Sequence, residues 1–186
     1  RRHGRGHPGS QGGGHVRCAG GNARVDGVST PVTARNGFTV GGHKNRYGGA
    51  PDEMYYWSSR GPTDDGRLKP DLVGPGDGVR SCLAQEAQDA DSGWSNDWYI
   101  EYSGTSMSTP AAAGAATLVR EYLMEVANRP APQGALVKAL LILGAEDMGN
   151  RNIPNNDEGW GRVNLINSLI PDNDEGIFVD DRSRIR

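Results

Sequence analysis

The 186-residue sequence contains only two cysteines and no long apolar segment. Cys18 and Cys82 allow at most one disulfide, and their spacing excludes a zinc-knuckle pattern, so we expect two unpaired thiols. The longest charge-free stretch of interest, Tyr102 to Val119, holds six Ser/Thr and one proline, which argues against a membrane span. No secretory signal or transit-like start is recognisable. We therefore expect no membrane partner.

Acidic residues are scarce at the start of the chain. Residues 1–46 carry eight Lys/Arg against the single acid Asp26, whereas residues 47–186 carry 12 bases against 22 acids. Residues 1–15 also lack any apolar side chain, so they cannot offset their conformational entropy by burial, and we expect a disordered tail. Three arginines in such a tail give only weak, salt-sensitive attraction to nucleic acid, which we do not expect as a partner. Its three histidines have no apolar flanks to fix a metal site.

Glycine, by contrast, is abundant. There are 28 glycines, 14 of them in residues 1–49, and the absence of a three-residue period excludes a collagen. Several glycines follow short apolar runs, which is typical of strands that end in tight turns. The predicted strands are Val16–Ala19, Phe38–Val40, Asp71–Val73 (followed by a sharp turn at residues 74–76) and Val79–Leu83, and residues 43–55 are predicted to form a surface loop.

Two helices are indicated by apolar residues that recur at helical spacing. The first carries an apolar face at Leu118, Val119, Tyr122, Leu123 and Val126, preceded by the small residues 111–116, which suit close packing on every side. The second is predicted from Pro132 to Ala145, with Leu136, Val137, Leu140 and Leu141 buried, and a short third helix is predicted within Val163–Ile170. Strands alternating with helices predict an α/β fold.

The segment Gly104-Thr105-Ser106-Met107-Ser108-Thr109-Pro110 carries the clearest chemical signal. It places a serine in a glycine-containing turn that opens a long helix, where unpaired N–H groups and the helix dipole stabilise negative charge. Pro110 is expected in the first turn, which tolerates a missing N–H. A purely structural alternative is that Thr105 or Ser106 is an N-cap. The α/β-hydrolase nucleophile elbow does not fit, because position 108 is Ser where that motif needs Gly.

The segment GTSMSTPAAAGAATL resembles the nucleophile motif of subtilisin-like serine proteases, the subtilases. Other stretches are similar to the same family in the same order: Ala19-Gly20-Gly21-Asn22, Phe38–Gly41, Trp57–Pro62 with Lys69–Gly76, and Gly159–Asn164. The likeness covers roughly residues 18–170 and is strongest to the large alkaline subtilases with a C-terminal β-barrel. It implies a three-layer parallel-sheet fold, incomplete at the N-terminus, formed by residues 16–170, with residues 171–186 as a linker or the start of another domain.

The resemblance also implies roles for particular residues. Ser106 would be the nucleophile, and the side chain of Asn22 would donate to the oxyanion together with the backbone N–H of Ser106. Gly20, Gly21 and Thr105 would contact the substrate, which would be a protein or peptide. An alternative for Asn22 is a turn residue that tolerates positive φ. No cofactor is needed for this chemistry. The family implies an extracellular location and makes structural calcium conceivable at Asp64–Gly66 or at Asp89 and Asp91.

The sequence departs from the family in the first half of the triad. Subtilases run in the order Asp, His, oxyanion Asn, Ser, and only 21 residues precede Asn22, so we can assign no Asp or His. A serine without its base is a poor nucleophile, and we therefore expect an inactive piece of a serine endopeptidase that needs the N-terminal half of its catalytic domain. The rival hypothesis is a non-catalytic relic or binding module with the same fold.

Aromatic residues precede the predicted nucleophile at positions 94, 98, 99 and 102. Two interpretations remain open for this group. The side chains either line a substrate cleft or pack under the adjoining loop.

Overall fold

The computed structural model describes residues 17–24, 27–45, 49–84, 94–149 and 152–170. The predictions for residues 1–15 and 171–186, and for Asp89 and Asp91, lie outside these residues. The described part contains six strands and three helices: β1 Arg17–Ala19, β2 Phe38–Lys44, β3 Leu72–Asp77, β4 Val79–Cys82, β5 Trp94–Ser95, β6 Tyr99–Tyr102, α1 Thr105–Glu125, α2 Gly134–Leu143 and α3 Leu165–Leu169.

The first three strands form a parallel sheet in the order β1-β2-β3, which confirms the predicted α/β class with a parallel sheet. Cys18 pairs with Thr39 on β2, and Val40 pairs in turn with Leu72 on β3. The remaining strands form a small antiparallel sheet in the order β4-β6-β5. Since β6 ends two residues before α1 begins, this second sheet leads directly into the long helix.

Strands β2 and β3 both extend further than predicted. The loop expected from residue 43 begins later, because His43 and Lys44 still belong to β2, and His43 bridges to Met54. The sharp turn expected at residues 74–76 was also wrong, because β3 continues through Gly-Pro-Gly to Asp77. These glycines serve a close approach by a helix rather than a turn. A Cβ at Gly74 would lie only 3.1 Å from the backbone oxygen of Ser108 in α1.

Helix α1 buries Val119 and Leu123 of the predicted apolar face, but small and hydroxyl-bearing residues make up the rest of its buried stripe. Its buried residues are Thr105, Ser108, Ala112, Ala115, Ala116, Val119 and Leu123. Leu118 and Val126 are exposed, and so are Ala111 and Gly114, so the small residues do not pack on every side. The face with small side chains packs on the sheet because it allows the helix axis to approach the glycines of the sheet.

Pro110 was expected in the first turn but lies in the second, as the sixth residue of α1. Proline has no N–H, so it cannot donate to the carbonyl of Ser106 four residues earlier. Both Pro110 and Ser106 are exposed, so this interruption of the helix lies on its solvent side.

The apolar core lies between the parallel sheet and helices α1 and α2. It comprises Phe38, Leu72, Ala115, Ala116, Val119, Leu123, Val137, Leu140 and Leu141. The buried stripe predicted for α2 is confirmed, with Leu136 at its margin, although the helix is shorter than the predicted span and Pro132 precedes it. The short third helix is also present. Within the described residues, no helix combines the length and apolar character needed to cross a bilayer.

A buried ionic cluster joins β2, the segment just before β3 and helix α2. Asp71 accepts hydrogen bonds from the N–H of Thr39 and from Lys69 Nζ, each at 2.7 Å, and from Lys138 Nζ, also at 2.7 Å. The side chain of Lys69 is only 4% exposed. Carboxylate and ammonium groups thereby satisfy each other where the sheet meets the helical layer.

Candidate active site

The turn after β1 and the start of α1 meet through Asn22 and Thr105. Asn22 Oδ1 accepts a hydrogen bond from the Thr105 N–H at 3.0 Å and a second from Thr105 Oγ1 at 3.2 Å. An amide N–H can only donate, so the carboxamide must turn its oxygen towards Thr105. Its Nδ2 is therefore left to donate elsewhere.

Ser106 follows Thr105 in the first turn of α1, and its side chain is exposed. The backbone N–H groups of a first helical turn have no acceptor within the helix. The N-cap of α1 is Gly104, not Thr105 or Ser106, and no side chain of the cap residue itself closes the helix. Instead Asn22 supplies the capping oxygen from 83 residues away in sequence.

The start of α1 can approach Asn22 because residue 104 is glycine. Its φ is 150°, and a Cβ at this position would lie 3.2 Å from Asn22 Nδ2. A side chain there would crowd the amide that is left free to donate. The structure therefore brings together an exposed serine, the N-terminus of a long helix and a carboxamide nitrogen.

The two glycines before Asn22 hold this turn against the sheet and the helix. The N–H of Gly20 donates to the carbonyl of Val40 at 2.7 Å, and the N–H of Gly21 donates to Thr105 Oγ1 at 3.1 Å. Gly21 has a φ of 99°, a region that favours glycine. Thr105 and Gly21 were both predicted to contact the substrate. In the structure the Thr105 hydroxyl bonds within the protein, to the Gly21 N–H and to Asn22 Oδ1.

Sequence reasoning missed the roles of Ser58 and Ser59: Ser59 braces the same turn, and Ser58 bonds to strand β2. Ser59 Oγ accepts from the N–H of Ala23 at 3.0 Å, and the N–H of Ser59 donates to the carbonyl of Gly21 at 2.8 Å. Ser58 Oγ accepts from the N–H of Gly42 at 3.0 Å. Both serines are fully buried. The paired hydroxyls of the Trp57–Pro62 segment were visible in the sequence, but their partners lie 16 to 38 residues away.

Below the surface, Ser108 packs the start of α1 into a gap in the sheet. A Cβ at Gly76 would lie 2.4 Å from Ser108 Oγ, and one at Gly42 would lie 3.2 Å from it. This hydroxyl is buried and has no hydrogen-bond partner in the described residues. It sits two residues after Ser106, so its packing fixes the height of the helix start above the sheet.

The described residues place no base beside Ser106. Their one histidine is His43, which is buried and whose Nδ1 lies 2.5 Å from the carbonyl oxygen of Lys44. Burial lowers the pKa of His43 below its ordinary value, and the Arg162 guanidinium acts in the same direction. The local hydrogen bond and the burial of His43 place its ring within the protein rather than beside Ser106.

The acidic loop at Asp64–Gly66 does not fit a calcium site. Hydrogen bonds from Arg67 and Thr63 lower the pKa of Asp65 to about 2. Arg67 Nε lies 2.8 Å from its carboxylate, and Arg35 approaches to 3.8 Å. Its charge is therefore neutralised by arginine rather than directed at a cation. Among the described residues, no group of three or more His, Cys, Asp or Glu side chains has an arrangement suited to a metal.

Two of the aromatic residues before Ser106, Trp98 and Tyr99, are exposed rather than packed beneath other residues. Trp98 is 70% exposed, Tyr99 is about half exposed and Tyr102 is half-buried. The side chain of Trp94 lies outside the described residues.

Cys18 and Cys82 are both free thiols, half-buried and exposed respectively, as expected for unpaired cysteines.

Comparison with known proteins decides the family. Residues 9–161 match the model of the subtilase family of peptidases. The chain belongs to the subtilase family. The match begins before the likeness predicted from residue 18, within the glycine-rich start, and it includes the segments of Asn22 and Ser106. Subtilases are serine proteases, so the inference drawn from the nucleophile motif is confirmed at the level of the family.

Curated relatives include several proteases. The chain is 39% identical over 104 residues to the serine protease/ABC transporter B family protein tagD of Dictyostelium discoideum, which covers 48% of this chain and 6% of that protein. It is 32% identical over 161 residues to the serine protease AprX of Bacillus subtilis, which covers 83% of this chain and 35% of AprX. The subtilase chain thus spans a minor part of these relatives.

Solved structures show the same fold. The CspB protease of Clostridium perfringens superimposes with a TM-score of 0.61 at 28% identity, over 78% of this chain and 28% of CspB. The prenylagaramide maturation protease PagA gives a TM-score of 0.62 at 20% identity, over 83% of this chain and 49% of PagA. The second likeness supports the subtilase fold alone.

Proposed function

We propose that this chain carries the nucleophile and oxyanion hole of a subtilisin-like serine endopeptidase that acts on proteins or peptides. The observation that carries the proposal is the hydrogen bond from the Thr105 N–H to Asn22 Oδ1 at 3.0 Å. It fixes the amide of Asn22 with its nitrogen free, beside the exposed Ser106 at the start of a 21-residue helix.

In the proposed reaction, Ser106 Oγ attacks the scissile carbonyl carbon and gives up its proton to an imidazole base. The carbonyl oxygen becomes an oxyanion, which accepts hydrogen bonds from Asn22 Nδ2 and from the Ser106 N–H. The tetrahedral intermediate then collapses, the C–N bond breaks, and the base returns the proton to the leaving amine. Water hydrolyses the resulting acyl-enzyme.

The geometry favours charge that develops in the transition state. Neither Asn22 nor the first turn of α1 brings a formal charge to the site, and α1 has no acidic residue in its first turn. The partial positive charge of the helix N-terminus is therefore not cancelled locally. Preorganised neutral donors of this kind stabilise an oxyanion without having to reorganise.

The imidazole base and its aspartate must come from outside the described residues. We propose that residues 16–170 alone leave Ser106 unactivated, and that the N-terminal half of the catalytic domain supplies the base. Among the described strands, β1 pairs only with β2, so its other edge offers backbone groups to a further parallel strand. An extracellular location is part of the same proposal and rests on the family.

A fluorophosphonate probe tests the proposal, because it labels a serine only when a base activates the hydroxyl. The chain is incubated with the probe alone and after joining it to an upstream subtilase segment that carries Asp and His. We expect labelling of the joined protein on Ser106, abolished by Ser106→Ala, and little labelling of the chain alone. Ser81→Ala, at an exposed serine in β4, is the matched control and should retain labelling.

The competing hypothesis is a non-catalytic module that retains the subtilase fold. One observation favours it: within the described residues, Ser106 has no base as a hydrogen-bond partner. Failure of the joined protein to label Ser106, while it melts cooperatively, would support this alternative and exclude the peptidase. Turnover of short esters but never of peptides by the joined protein would instead indicate an esterase.

A further inference from the structure

An unpaired guanidinium lies two residues after Asn22. Arg24 stacks on the ring of Tyr56, with its guanidinium carbon 3.9 Å from the ring centroid, and it donates through Nη1 to the Tyr56 hydroxyl. In the described part of the chain, Arg24 makes no ion pair with a carboxylate, and its Nε is buried without a hydrogen-bond partner. A positive charge at the protein surface is thus held in place without a carboxylate partner among the described residues.

The backbone of Arg24 is fixed as firmly as its side chain. Its N–H donates to the carbonyl of Trp57 at 3.1 Å, and its own carbonyl accepts from the N–H of Arg60 at 3.0 Å. Its φ is 54°, a left-handed conformation that is unfavourable for a non-glycine residue. The surrounding turn therefore holds Arg24 in a conformation that it would not adopt by itself.

The neighbouring aromatic side chains complete a polar-edged surface. Tyr56 and Trp57 are each about half exposed and pack edge to face, with ring centroids 4.9 Å apart. Since the Tyr56 oxygen accepts from Arg24, its own proton remains available to a second acceptor. The guanidinium and the phenol can therefore donate side by side to one carboxylate.

We propose that Arg24 and Tyr56 bind an acidic side chain of the substrate, Asp or Glu, close to the scissile bond. The inference rests on the proposed peptidase function, because it takes Asn22 as the place of the scissile carbonyl. The Cα atoms of Asn22 and Arg24 are at most about 7 Å apart, and the arginine side chain reaches further, so the guanidinium can meet a substrate residue within a few positions of that carbonyl. The carboxylate of the substrate would be the counter-ion of the Arg24 guanidinium, and Arg24 would thereby determine specificity.

Equilibrium binding to the full chain tests this without any need for turnover. The ligands are capped hexapeptides that carry a single Glu, Gln or Lys scanned through each position, and Ser106→Ala prevents cleavage. We expect Glu to bind about tenfold more tightly than Gln at one or two adjacent positions, the usual size of a charge-assisted hydrogen bond. Lys should bind more weakly than Gln there, and the preference should shrink as salt is raised.

Variants separate recognition from bracing of the turn. Arg24→Gln should abolish the Glu preference, Arg24→Lys should keep part of it, and Arg35→Gln, at an arginine 80% exposed, should leave it intact. The proposal would be overturned if the protein that keeps Arg24 bound Glu and Gln peptides with equal affinity at every position. It would also be overturned if this protein bound none of the peptides. This binding assay does not depend on the nucleophile. If the protein prefers Glu peptides but the probe does not label Ser106 in the joined protein, the acidic-side-chain site stands and only the peptidase function is excluded.

Discussion

Asn22 Oδ1 accepts the backbone N–H of Thr105 at 3.0 Å across 83 residues of sequence. One carboxamide thereby closes the N-terminus of α1 with its oxygen and leaves its nitrogen free to donate, which is what the proposed oxyanion hole requires. The two functions can be separated by substitution, because each uses a different atom of the same side chain.

Asn22→Asp should lose probe labelling while it keeps the fold. The aspartate retains an oxygen for the Thr105 N–H, but it removes the Nδ2 donor and adds a negative charge beside the oxyanion. We expect the rate of Ser106 labelling in the joined, base-containing protein to fall by about a hundredfold or more, the usual cost of one oxyanion donor. Labelling rate and thermal melting are measured on the same samples.

Asn22→Ala provides the matched comparison, since it removes both the cap and the donor. It should lower labelling similarly and also destabilise the protein by about 1 kcal/mol, the usual cost of a lost N-cap. Unchanged labelling in both variants would exclude Asn22 from the oxyanion hole. Equal destabilisation by both would show that the cap does not depend on the retained oxygen.

The segment proposed to carry the nucleophile was predictable from sequence because its signal is local. Glycine, threonine and serine before a helical pattern define a helix start, and the order of motifs indicated the family. The partner of Asn22 could not be predicted by physical reasoning on the sequence, because Thr105 lies 83 residues away and a Gly-Asn pair serves many turns.

The extent of the strands was less predictable for the same physical reason. Gly74-Pro75-Gly76 is typical of a turn, yet it continues β3, because Ser108 of α1 fills the space that side chains would occupy. Likewise the large residue Leu118 was expected inside, but the alanines win the buried face. In both cases tertiary packing of a helix on a sheet overrides the local pattern.

Gly76→Ala should destabilise the protein, and adding Ser108→Ala should remove the steric clash that causes this loss. The new Cβ at residue 76 would lie 2.4 Å from Ser108 Oγ, so we expect a loss of about 1–3 kcal/mol from overpacking. Ser108→Ala alone removes a buried hydroxyl without a partner and should stabilise by about 1 kcal/mol. Chemical denaturation of the two single variants and the double variant measures the coupling.

Gly114→Ala is the control for these substitutions. A Cβ at this helical position meets nothing within 4 Å, so the change should stabilise by about 0.5–1 kcal/mol through helix propensity. Additive effects of the Gly76 and Ser108 substitutions would contradict the proposed contact, because residues that touch are expected to couple.

Asp71→Asn should be among the most destabilising single changes in the core. It leaves Lys69, with only 4% of its side chain exposed, as a buried charge without its counter-ion, which costs about 3–5 kcal/mol. Lys138 loses the same partner. Urea unfolding measures the loss, and Asp65→Asn, at a half-exposed carboxylate, should change stability far less. If Asp71→Asn and Asp65→Asn lowered the free energy of unfolding equally, burial would not be what makes the Asp71 ion pairs important for stability.

Stability should also fall as the pH is lowered below about 6.5, because of His43. Burial lowers the pKa of this imidazole in the folded state, so the unfolded chain binds the proton first. The stabilisation is fully present above the ordinary value of 6.5 and is lost as the pH falls towards the folded-state pKa. Arg162 opposes protonation of the ring and Asp52 favours it, but neither outweighs burial.

Denaturant unfolding between pH 8 and pH 5 measures this dependence, above the range in which carboxylates titrate. The contribution of His43 to the slope should approach, but not exceed, about 1.4 kcal/mol per pH unit, the value for one proton. His43→Asn removes the titrating ring and can still donate to the Lys44 carbonyl, which lies 2.5 Å from Nδ1. That variant should therefore lose part of the slope without a comparable loss of stability at pH 8. An identical slope in the two proteins would mean that His43 takes up its proton equally well folded and unfolded.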